Sequence, residues 1–265
     1  VSQNWDDAAV LPAYKRLVID EGHHLEDAAA SHLGASVTRR ALARLFGRLE
    51  RRGKGLLPAL ETRLRGYNDL LSTASLDLVQ EKLVPSAATA RDRSQLLFEL
   101  LAVMMAEENI GVWRLTEAFE QHPAWIGGVG STLDELLREI AALADGLRLI
   151  RERLESDEKK SEELSPLLGE VRGVSRRLGN AGDALARALR TPKPGEDVVR
   201  WIELTGKPGP DRNIALHCVP LDLAPVLRDD LFGRVESAVI TSATLATDDG
   251  FDFVERRLGI DDLKM

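Results

Sequence analysis

The segment 17–27 constrains the fold of this chain more than any other part of the sequence. A short apolar run at 17–19 leads directly into Asp20 and Glu21, and a helical pattern begins a few residues later. Buried parallel strands read as continuous runs of Val, Ile and Leu, and ligands bind beyond the carboxyl ends of such strands. The sequence therefore predicts a buried strand over 15–20 that delivers two carboxylates to a ligand site.

Two adjacent carboxylates at the end of a strand suit a metal ion that is bound to phosphate. Asp20 can supply an oxygen ligand to Mg²⁺ held between two phosphates. Glu21 is the candidate for orienting or deprotonating an attacking water, and His23 can exchange hydrogen bonds with neighbouring loops. A helix N-terminus without catalytic duty is the alternative, because acidic residues near a helix start gain from the helix dipole.

A second apolar run, at 239–240, leads into a segment with the small hydroxyl residues Thr241, Ser242 and Thr244. Alone this pattern is ordinary turn chemistry. It is preceded by Pro-Leu-Asp-Leu-Ala at 220–224, and a second strand that ends in polar residues would complement the first motif.

Together these motifs resemble the DinG-type DNA helicases of the XPD-like branch of superfamily 2. That family has a D-E-A-H box followed by L-E-D-A, a helical insertion called the arch, a strand pair, P-L-D-x-A and T-S-A-T-L. The corresponding stretches occur here in the same order. The resemblance covers essentially the whole chain, is strongest at 14–30 and 198–260, and is weak through the insertion. Gly22 stands where the family usually has Ala. Glycine makes the backbone more flexible, which can lower stability by up to about 1 kcal/mol relative to alanine.

The resemblance implies ATP-driven unwinding of DNA with 5′-to-3′ movement along a single strand. It assigns Asp20 to Mg²⁺, with Glu21 nearby activating water, and His23 to coupling. It assigns Thr241, Ser242 and Thr244 to the motif that links hydrolysis to strand movement. ATP and Mg²⁺ are the cofactors implied for the whole protein.

The motor implied by this resemblance is incomplete in the sequence. No G-x-x-x-x-G-K-[ST] phosphate loop occurs among the 265 residues, so we expect an internal segment that hydrolyses no ATP by itself. Related helicases often carry an iron–sulfur cluster whose cysteines lie upstream of the D-E-x-H box. The single Cys218 cannot supply four thiolates. We expect that cysteine to be a small apolar strand residue, and the presence of a cluster elsewhere in the protein stays open.

The predicted fold class is an α/β RecA-like helicase core fragment interrupted by a large all-α, arch-like insertion, mostly helical overall. No convincing strand is predicted between 27 and 192, and two prolines and a glycine at 192–195 end the helical region. The predicted domains are 1–26, the first part of the motor domain with the D-E-x-H box; 27–195, the insertion; and 196–265, the return with T-S-A-T. Further strands are predicted at 198–204, 214–219 and 235–241, short helices at 221–232 and 250–259, and an approach loop at 1–13.

Two apolar repeats within the insertion predict an antiparallel helical hairpin. The first repeat is Leu133, Leu136, Ile140, Leu143, Leu147, Ile150 and Leu154. The second is Leu164, Leu167, Val171, Val174, Leu178, Ala181, Leu185 and Ala188. Ser131 with Asp134, and Ser165-Pro166, are the predicted helix starts. A further helix is predicted at 88–121, beginning at Thr89 and ending before Pro123. We interpret these two apolar seams as residues of the protein core. The alternative is that they form a coiled coil with a partner protein.

The first insertion helix carries the candidate DNA-binding residues. Nine basic residues against two acidic ones lie between 39 and 65, in a chain of formal net charge -8. The stripe comprises Arg39, Arg40, Arg44, Arg48, Arg51 and Arg52. Spacing of i, i+4 places arginines on one helix face, and their planar forks suit phosphate. A solvated face, or pairing with acids at 107–108 or 157–158, is the alternative.

The composition and hydropathy bound the remaining functional classes. The chain as a whole is acidic, so any DNA contact must come from a local patch. No apolar run of membrane-spanning length occurs, and we expect a cytoplasmic monomer that binds single-stranded DNA. Two alternatives stay open: a helical protein-interaction module, and a degenerate helicase relative that binds nucleotide without turnover, which Gly22 suggests.

Overall fold

The computed structural model describes residues 14–206, 212–246 and 250–261, without the side chains of 31–33. The predicted approach loop at 1–13 lies outside these residues. Six strands are present in the described part: β1 Arg16–Ile19, β2 Ala35–Thr38, β3 Val112–Leu115, β4 Val198–Thr205, β5 Asn213–Pro220 and β6 Ser237–Ile240.

Ten α-helices account for most of the described residues. The first five are α1 Leu25–Leu33, α2 Arg39–Leu49, α3 Leu56–Leu64, α4 Leu70–Leu78 and α5 Val84–Glu107. The others are α6 Gly130–Glu155, α7 Glu158–Glu163, α8 Ser165–Leu189, α9 Ala224–Asp230 and α10 Asp252–Leu258. Within the described ranges, no helix combines the length and apolar character needed to cross a bilayer.

The chain divides into two compact units. The first contains Val1–Ala35, Pro192–Val199 and Cys218–Met265, and the second contains Ser36–Thr191 and Arg200–His217. The structure is mostly helical with small sheets, as predicted. The domain boundaries at 26 and 195 stay a prediction.

The first unit is built on a two-stranded parallel sheet. β1 pairs with β6 so that Val18 lies opposite Val239 and Ile19 opposite Ile240. The two isoleucines pack against a small core of Ala29, Leu223, Leu227, Phe232 and Leu258. The predicted strand at 15–20 is therefore present, but its predicted burial is wrong. Only one face of the sheet packs on this core, and Val18 and Val239 are 72% and 54% exposed on the other face.

The second unit contains the predicted antiparallel hairpin, formed by α6 and α8. Contacts run in opposite chain directions along the pair: Ser175 hydroxyl donates to the carbonyl of Ala144, and Arg190 pairs with Asp134. The residues of the first predicted seam are all buried. Most of the second predicted seam is also buried, namely Leu164, Val171, Val174, Leu178, Leu185 and Ala188. Leu167 and Ala181 of that seam are partly exposed, and Leu168, which was not predicted, is buried.

Of the predicted helix starts in the insertion, Ser165-Pro166 does begin α8, whereas the predicted caps at Ser131 and Thr89 are wrong. Ser131 is the second residue of α6 rather than its N-cap, and its hydroxyl donates to the Gly128 carbonyl. The chain is kinked at Gly128, which has φ 145°, just before this helix. Ser165 is the first residue of α8 and makes no side-chain cap. Thr89 lies inside a helical run that passes from α4 through a π-turn into α5. Asp69 begins that run by accepting the backbone N–H of Ser72 at 3.0 Å.

The predicted helix at 88–121 is too long. The prediction that no strand lies between 27 and 192 is also wrong. α5 ends at Glu107, and Asn109 then adopts a left-handed conformation with φ 52°. This conformation ends a helix because it leaves the right-handed path. β2, which precedes α2, and β3, which follows α5, both belong to a four-stranded sheet of order β2-β5-β4-β3. Each has four residues, too few to show a period in sequence.

Lys160 joins two helix starts at the connection between α6 and α8. Its ammonium donates to Asp69, the N-cap of the α4 run, at 2.5 Å. It also lies 3.5 Å from Asp157, the N-cap of α7, and 5.2 Å from the centre of the Tyr67 ring. The Lys160 side chain is only 12% exposed, and its hydrogen bond lowers the pKa of Asp69 well below the usual value of 3.8.

Replacing Lys160 with methionine should destabilise the chain. The substitution keeps the apolar stem but leaves Asp69 without its cation, and we expect the melting temperature to fall by roughly 2–6 °C. Lys159→Met, at an exposed neighbouring position, is the matched control and should change it little. Thermal unfolding followed by circular dichroism measures both.

The free energy of unfolding of Lys160→Met should fall less in acid than that of the wild type. Because the pKa of Asp69 is lowered by folding, this carboxylate stabilises the native chain above its unfolded pKa, and that contribution is lost as the pH falls through the folded pKa. The stability difference between wild type and Lys160→Met should therefore be constant near neutral pH and shrink below about pH 4. A difference that grew in acid would contradict this role.

Candidate functional site

Strand pairing brings the two predicted motifs to one edge of the first unit. The backbone N–H of Thr241 donates to the carbonyl of Ile19 at 2.8 Å, and that of Gly22 donates to the carbonyl of Thr241 at 2.9 Å. Because β1 and β6 are parallel, both strands end on the same side. Asp20 and Thr241, which are 221 positions apart in sequence, become neighbours there.

The Asp20 carboxylate is held by one of its two oxygens. Thr241 hydroxyl donates to Oδ1 at 2.7 Å, and the Glu21 backbone N–H donates to the same atom at 3.0 Å. These hydrogen bonds, that of Thr241 foremost, lower the pKa of Asp20. Oδ2 makes no hydrogen bond to another described residue. The arrangement gives an ionised, exposed carboxylate with one oxygen available to a ligand.

Glu21 turns the chain out of the strand. Its backbone is left-handed, with φ 53° and ψ 45°, a conformation that costs a non-glycine residue roughly 1–2 kcal/mol. The turn leads into a short 3₁₀ helix at Gly22–His24. The Glu21 side chain is 61% exposed, and its Oε2 lies 3.3 Å from Nδ1 of His23.

His23 contacts both motifs. Its Nδ1 lies 2.6 Å from the hydroxyl oxygen of Ser242, so the ring bridges the Glu21 carboxylate and the residue after Thr241. Thr244 is exposed, and within the described residues no hydrogen bond joins it to the other motif residues. The structure therefore brings together the side chains of Asp20, His23, Thr241 and Ser242, and leaves Thr244 outside this network.

Gly22 is packed tightly beneath β6. A Cβ atom on Gly22 would lie 2.2 Å from Cγ2 of Ile240 and 3.6 Å from the side chain of Leu245. A methyl group at this position requires Ile240 to move. The glycine that the sequence marked as a departure from the family thus fits against a branched neighbour, which sequence alone could not reveal.

The predicted arginine stripe is only partly helical. Thr38 caps α2 by accepting the backbone N–H of Ala41, and the side chains of Arg40, Arg44 and Arg48 are exposed on this helix. Its apolar face, Leu42, Leu45, Phe46 and Leu49, is buried as expected. The helix ends at Leu49, so Arg51 and Arg52 lie in the following turn, where Arg52 has φ 54°. The continuous i, i+4 series through Arg52 is therefore wrong.

Arg91 of α5 joins the stripe, which sequence spacing did not predict. Together with Arg44, Arg48 and Arg51, it lines an open cavity of about 650 Å³. Ala43 and Gly47 complete the lining. Arg91 is held by the carbonyl and carboxylate of Glu50. Arg48 lies 3.5 Å from Glu170, a different acid from those considered in the alternative interpretation.

The chain is similar along nearly all of its length to known DNA-processing enzymes. The particular relatives are DinG proteins, which confirms the resemblance read from the motifs. "ATP-dependent DNA helicase DinG" of Escherichia coli (strain K12) is 26% identical over 267 residues, covering 96% of this chain and 34% of the relative. "3'-5' exonuclease DinG" of Bacillus subtilis (strain 168) is 25% identical over 271 residues, covering 95% and 27%. The Salmonella typhimurium helicase of the same name is 26% identical over 266 residues.

These comparisons concern only part of each relative. The chain spans about a third of the length of the curated relatives it matches. No protein-family model matches the chain.

Substituting Gly22 with alanine should distort the site unless Ile240 is also reduced. Overpacking of this kind costs about 1–3 kcal/mol, and Gly22→Ala alone should lower the free energy of unfolding by that amount. In an Ile240→Ala background the added methyl has room, so the same change should cost much less. A double-mutant cycle by urea denaturation measures the difference, and strictly additive effects would contradict the contact.

Proposed function

We propose that this chain is the segment of an ATP-dependent DNA helicase that runs from the D-E-x-H box to the T-S-A-T motif. The observation that carries the proposal is the pair of side-chain hydrogen bonds between the motifs. Thr241 contacts Asp20, and Ser242 contacts His23 across 219 positions of sequence. Such connections suit a motor, because ATP hydrolysis at the first motif must change the conformation of the second.

Asp20 is the residue proposed to hold Mg²⁺. Its ionised carboxylate and available Oδ2 fit an oxygen ligand for a hard cation. Within the described part of the chain, no group of three His, Cys, Asp or Glu side chains could hold a metal. The remaining ligands in this proposal are phosphate oxygens and water, as in phosphoryl-transfer enzymes. Bound Mg²⁺ would neutralise charge on the phosphates.

Glu21 is proposed to orient and deprotonate the attacking water. Its side chain is exposed at the end of β1, and the left-handed backbone directs it away from the path of the strand. His23 lies between this carboxylate and Ser242. A shift of the segment after β6 therefore changes a hydrogen bond to the ring that also contacts Glu21, and this is how the geometry can couple hydrolysis to motion.

The relatives support the substrate and the reaction class. Most of those that match carry the name ATP-dependent DNA helicase, and the Bacillus protein carries the name of an exonuclease. We infer that the longer protein moves 5′-to-3′ on single-stranded DNA, and that the missing phosphate loop lies outside this segment. Arg39, Arg40, Arg44, Arg48, Arg51 and Arg52 are the proposed phosphate contacts, with Thr241, Ser242 and Thr244 as the coupling motif.

The chain by itself should hydrolyse no ATP above background, because it has no phosphate loop. In the longer protein, Glu21→Gln should lower kcat for ATP by about 10²–10⁴ while ATP binding is retained, since the glutamine keeps the shape but not the base. Asp229→Asn, which changes an exposed acid on α9, is the control. A phosphate-release assay measures all three proteins, and wild-type turnover by Glu21→Gln would contradict the assignment.

Charge reversal on α2 should weaken DNA binding. If four stripe arginines each contact a phosphate of single-stranded DNA, log K falls with log salt at about −2.8. Arg40→Glu, Arg44→Glu and Arg48→Glu together should weaken binding and flatten this slope. The matched control reverses three exposed arginines elsewhere, Arg138, Arg176 and Arg187. Fluorescence anisotropy over a salt series measures both. Equal losses in the two variants would show that general charge, rather than the stripe, attracts DNA.

A further inference from the structure

The outer face of the four-stranded sheet carries an aromatic pair that the proposed function does not use. This outer face is defined here by Val112, Arg114, Trp201, Glu203 and His217. Residues alternate between the two faces of a strand, and the paired positions Arg114 with Trp201 and Val112 with Glu203 lie on the same side. The opposite side carries buried residues such as Ile202 and Leu216.

Trp201 and His217 are stacked across neighbouring strands. Their ring centres are 4.6 Å apart and their planes differ by 12°. That distance is about the spacing between hydrogen-bonded strands, roughly 4.8 Å, so the rings stand on the sheet with their faces directed along the strand-to-strand axis. One face of Trp201 is covered by His217, and the other is directed towards β3.

β3 is the edge strand on that side, and it presents a cation. The sheet order ends at β3, where Arg114 lies directly opposite Trp201 and is exposed. Val112 on the same strand is 58% exposed. No ion pair involves Arg114 within the residues that the structure describes, so its guanidinium is available to a ligand beside the indole.

His217 supports the indole as a neutral ring. Its side chain is 24% exposed, and its Nε2 lies 3.6 Å from the Glu203 carboxylate without a hydrogen bond. Burial lowers the pKa of His217, which keeps the imidazole uncharged at neutral pH. A neutral stacked pair beside a free arginine is suited to a flat, uncharged ring that is attached to an anion.

The outer face also meets the start of the basic helix. Asn213 lies four positions before His217 on β5, and strand alternation places both side chains on the same face. The Asn213 carboxamide oxygen accepts the backbone N–H of Arg40 at 3.2 Å. Arg40 is part of the proposed phosphate-binding stripe. A single strand of DNA that follows α2 would therefore reach this sheet near Asn213, at the N-terminal end of β5.

We propose that the outer face is a second nucleic-acid site, at which an unpaired base of single-stranded DNA stacks on Trp201 and its phosphate is bound by Arg114. Aromatic side chains on sheets and in grooves bind bases in this way without sequence preference. This inference rests on the proposed function for its choice of ligand, because DNA is the polymer that carries both flat bases and phosphates to this face.

Tryptophan fluorescence tests the stack directly. The whole chain is titrated with oligothymidylate and with an abasic oligonucleotide of equal length, which carries the phosphates but no bases. Oligothymidylate should quench the emission, because a stacked base lies against the indole, and the abasic strand should not. Trp201→Phe keeps an aromatic platform and should bind with similar affinity, but without quenching. This control assigns the signal to one of the four tryptophans.

Trp201→Leu should weaken oligothymidylate binding roughly 5- to 150-fold, the range expected for loss of one base–aromatic stack. The slope of log K against log salt should not change, since stacking releases no counterions. Affinity by anisotropy measures both quantities, and a circular dichroism melt verifies that each variant is folded. His217→Leu, which removes the supporting ring, should weaken binding less.

The outcome separates this inference from the proposed function. If the α2 charge reversals abolish binding while Trp201→Leu binds as wild type and no quenching is seen, the stripe is a DNA site and the outer face is not. If no single-stranded DNA binds at all, both are overturned. Quenching by the abasic strand would also overturn the stack, because it would show that the signal does not come from a base.

Discussion

The pairing of β1 with β6 is the interaction on which the candidate site depends. The two strands contribute only four residues each, yet their parallel register places Asp20 beside Thr241 and His23 beside Ser242. Neither motif could form the network alone, because each supplies only one partner of the hydrogen bonds Thr241–Asp20 and Ser242–His23. The pairing converts two short polar sequences more than two hundred positions apart into one site.

The sequence predicted the parts that repeat or that follow strands. The apolar seams of α6 and α8 were recognised because burial at 3-4 spacing is visible over many turns. The buried face of α2 was visible for the same reason. The two motifs were placed at strand ends because an apolar run followed by polar residues is directional, and the structure brings most of the side chains of both motifs together.

Other features depend on contacts between distant residues and could not be predicted. β2 and β3 were missed because four residues show no clear alternation, and their pairing with β5 and β4 decides their conformation. Arg91 joins the arginine stripe only through the packing of α5 beside α2. Gly22 was interpreted as a loosening of the backbone, whereas Ile240 occupies the space of a side chain. The predicted cap at Thr89 failed because Asp69 had already begun that helical run, and the predicted cap at Ser131 failed because the chain enters α6 through a kink at Gly128.

Cross-linking of the two strands tests the central claim most directly. Val18 and Val239 lie opposite each other on the exposed face of the sheet, and paired strand positions are close enough for a disulfide. Val18→Cys with Val239→Cys should therefore oxidise rapidly to a cross-linked chain, measured by mass spectrometry after proteolysis. Val18→Cys with Ser237→Cys, offset by two residues, should not. Cross-linking of the offset pair alone, or of neither pair, would show that β1 and β6 do not deliver the two motifs to a common edge.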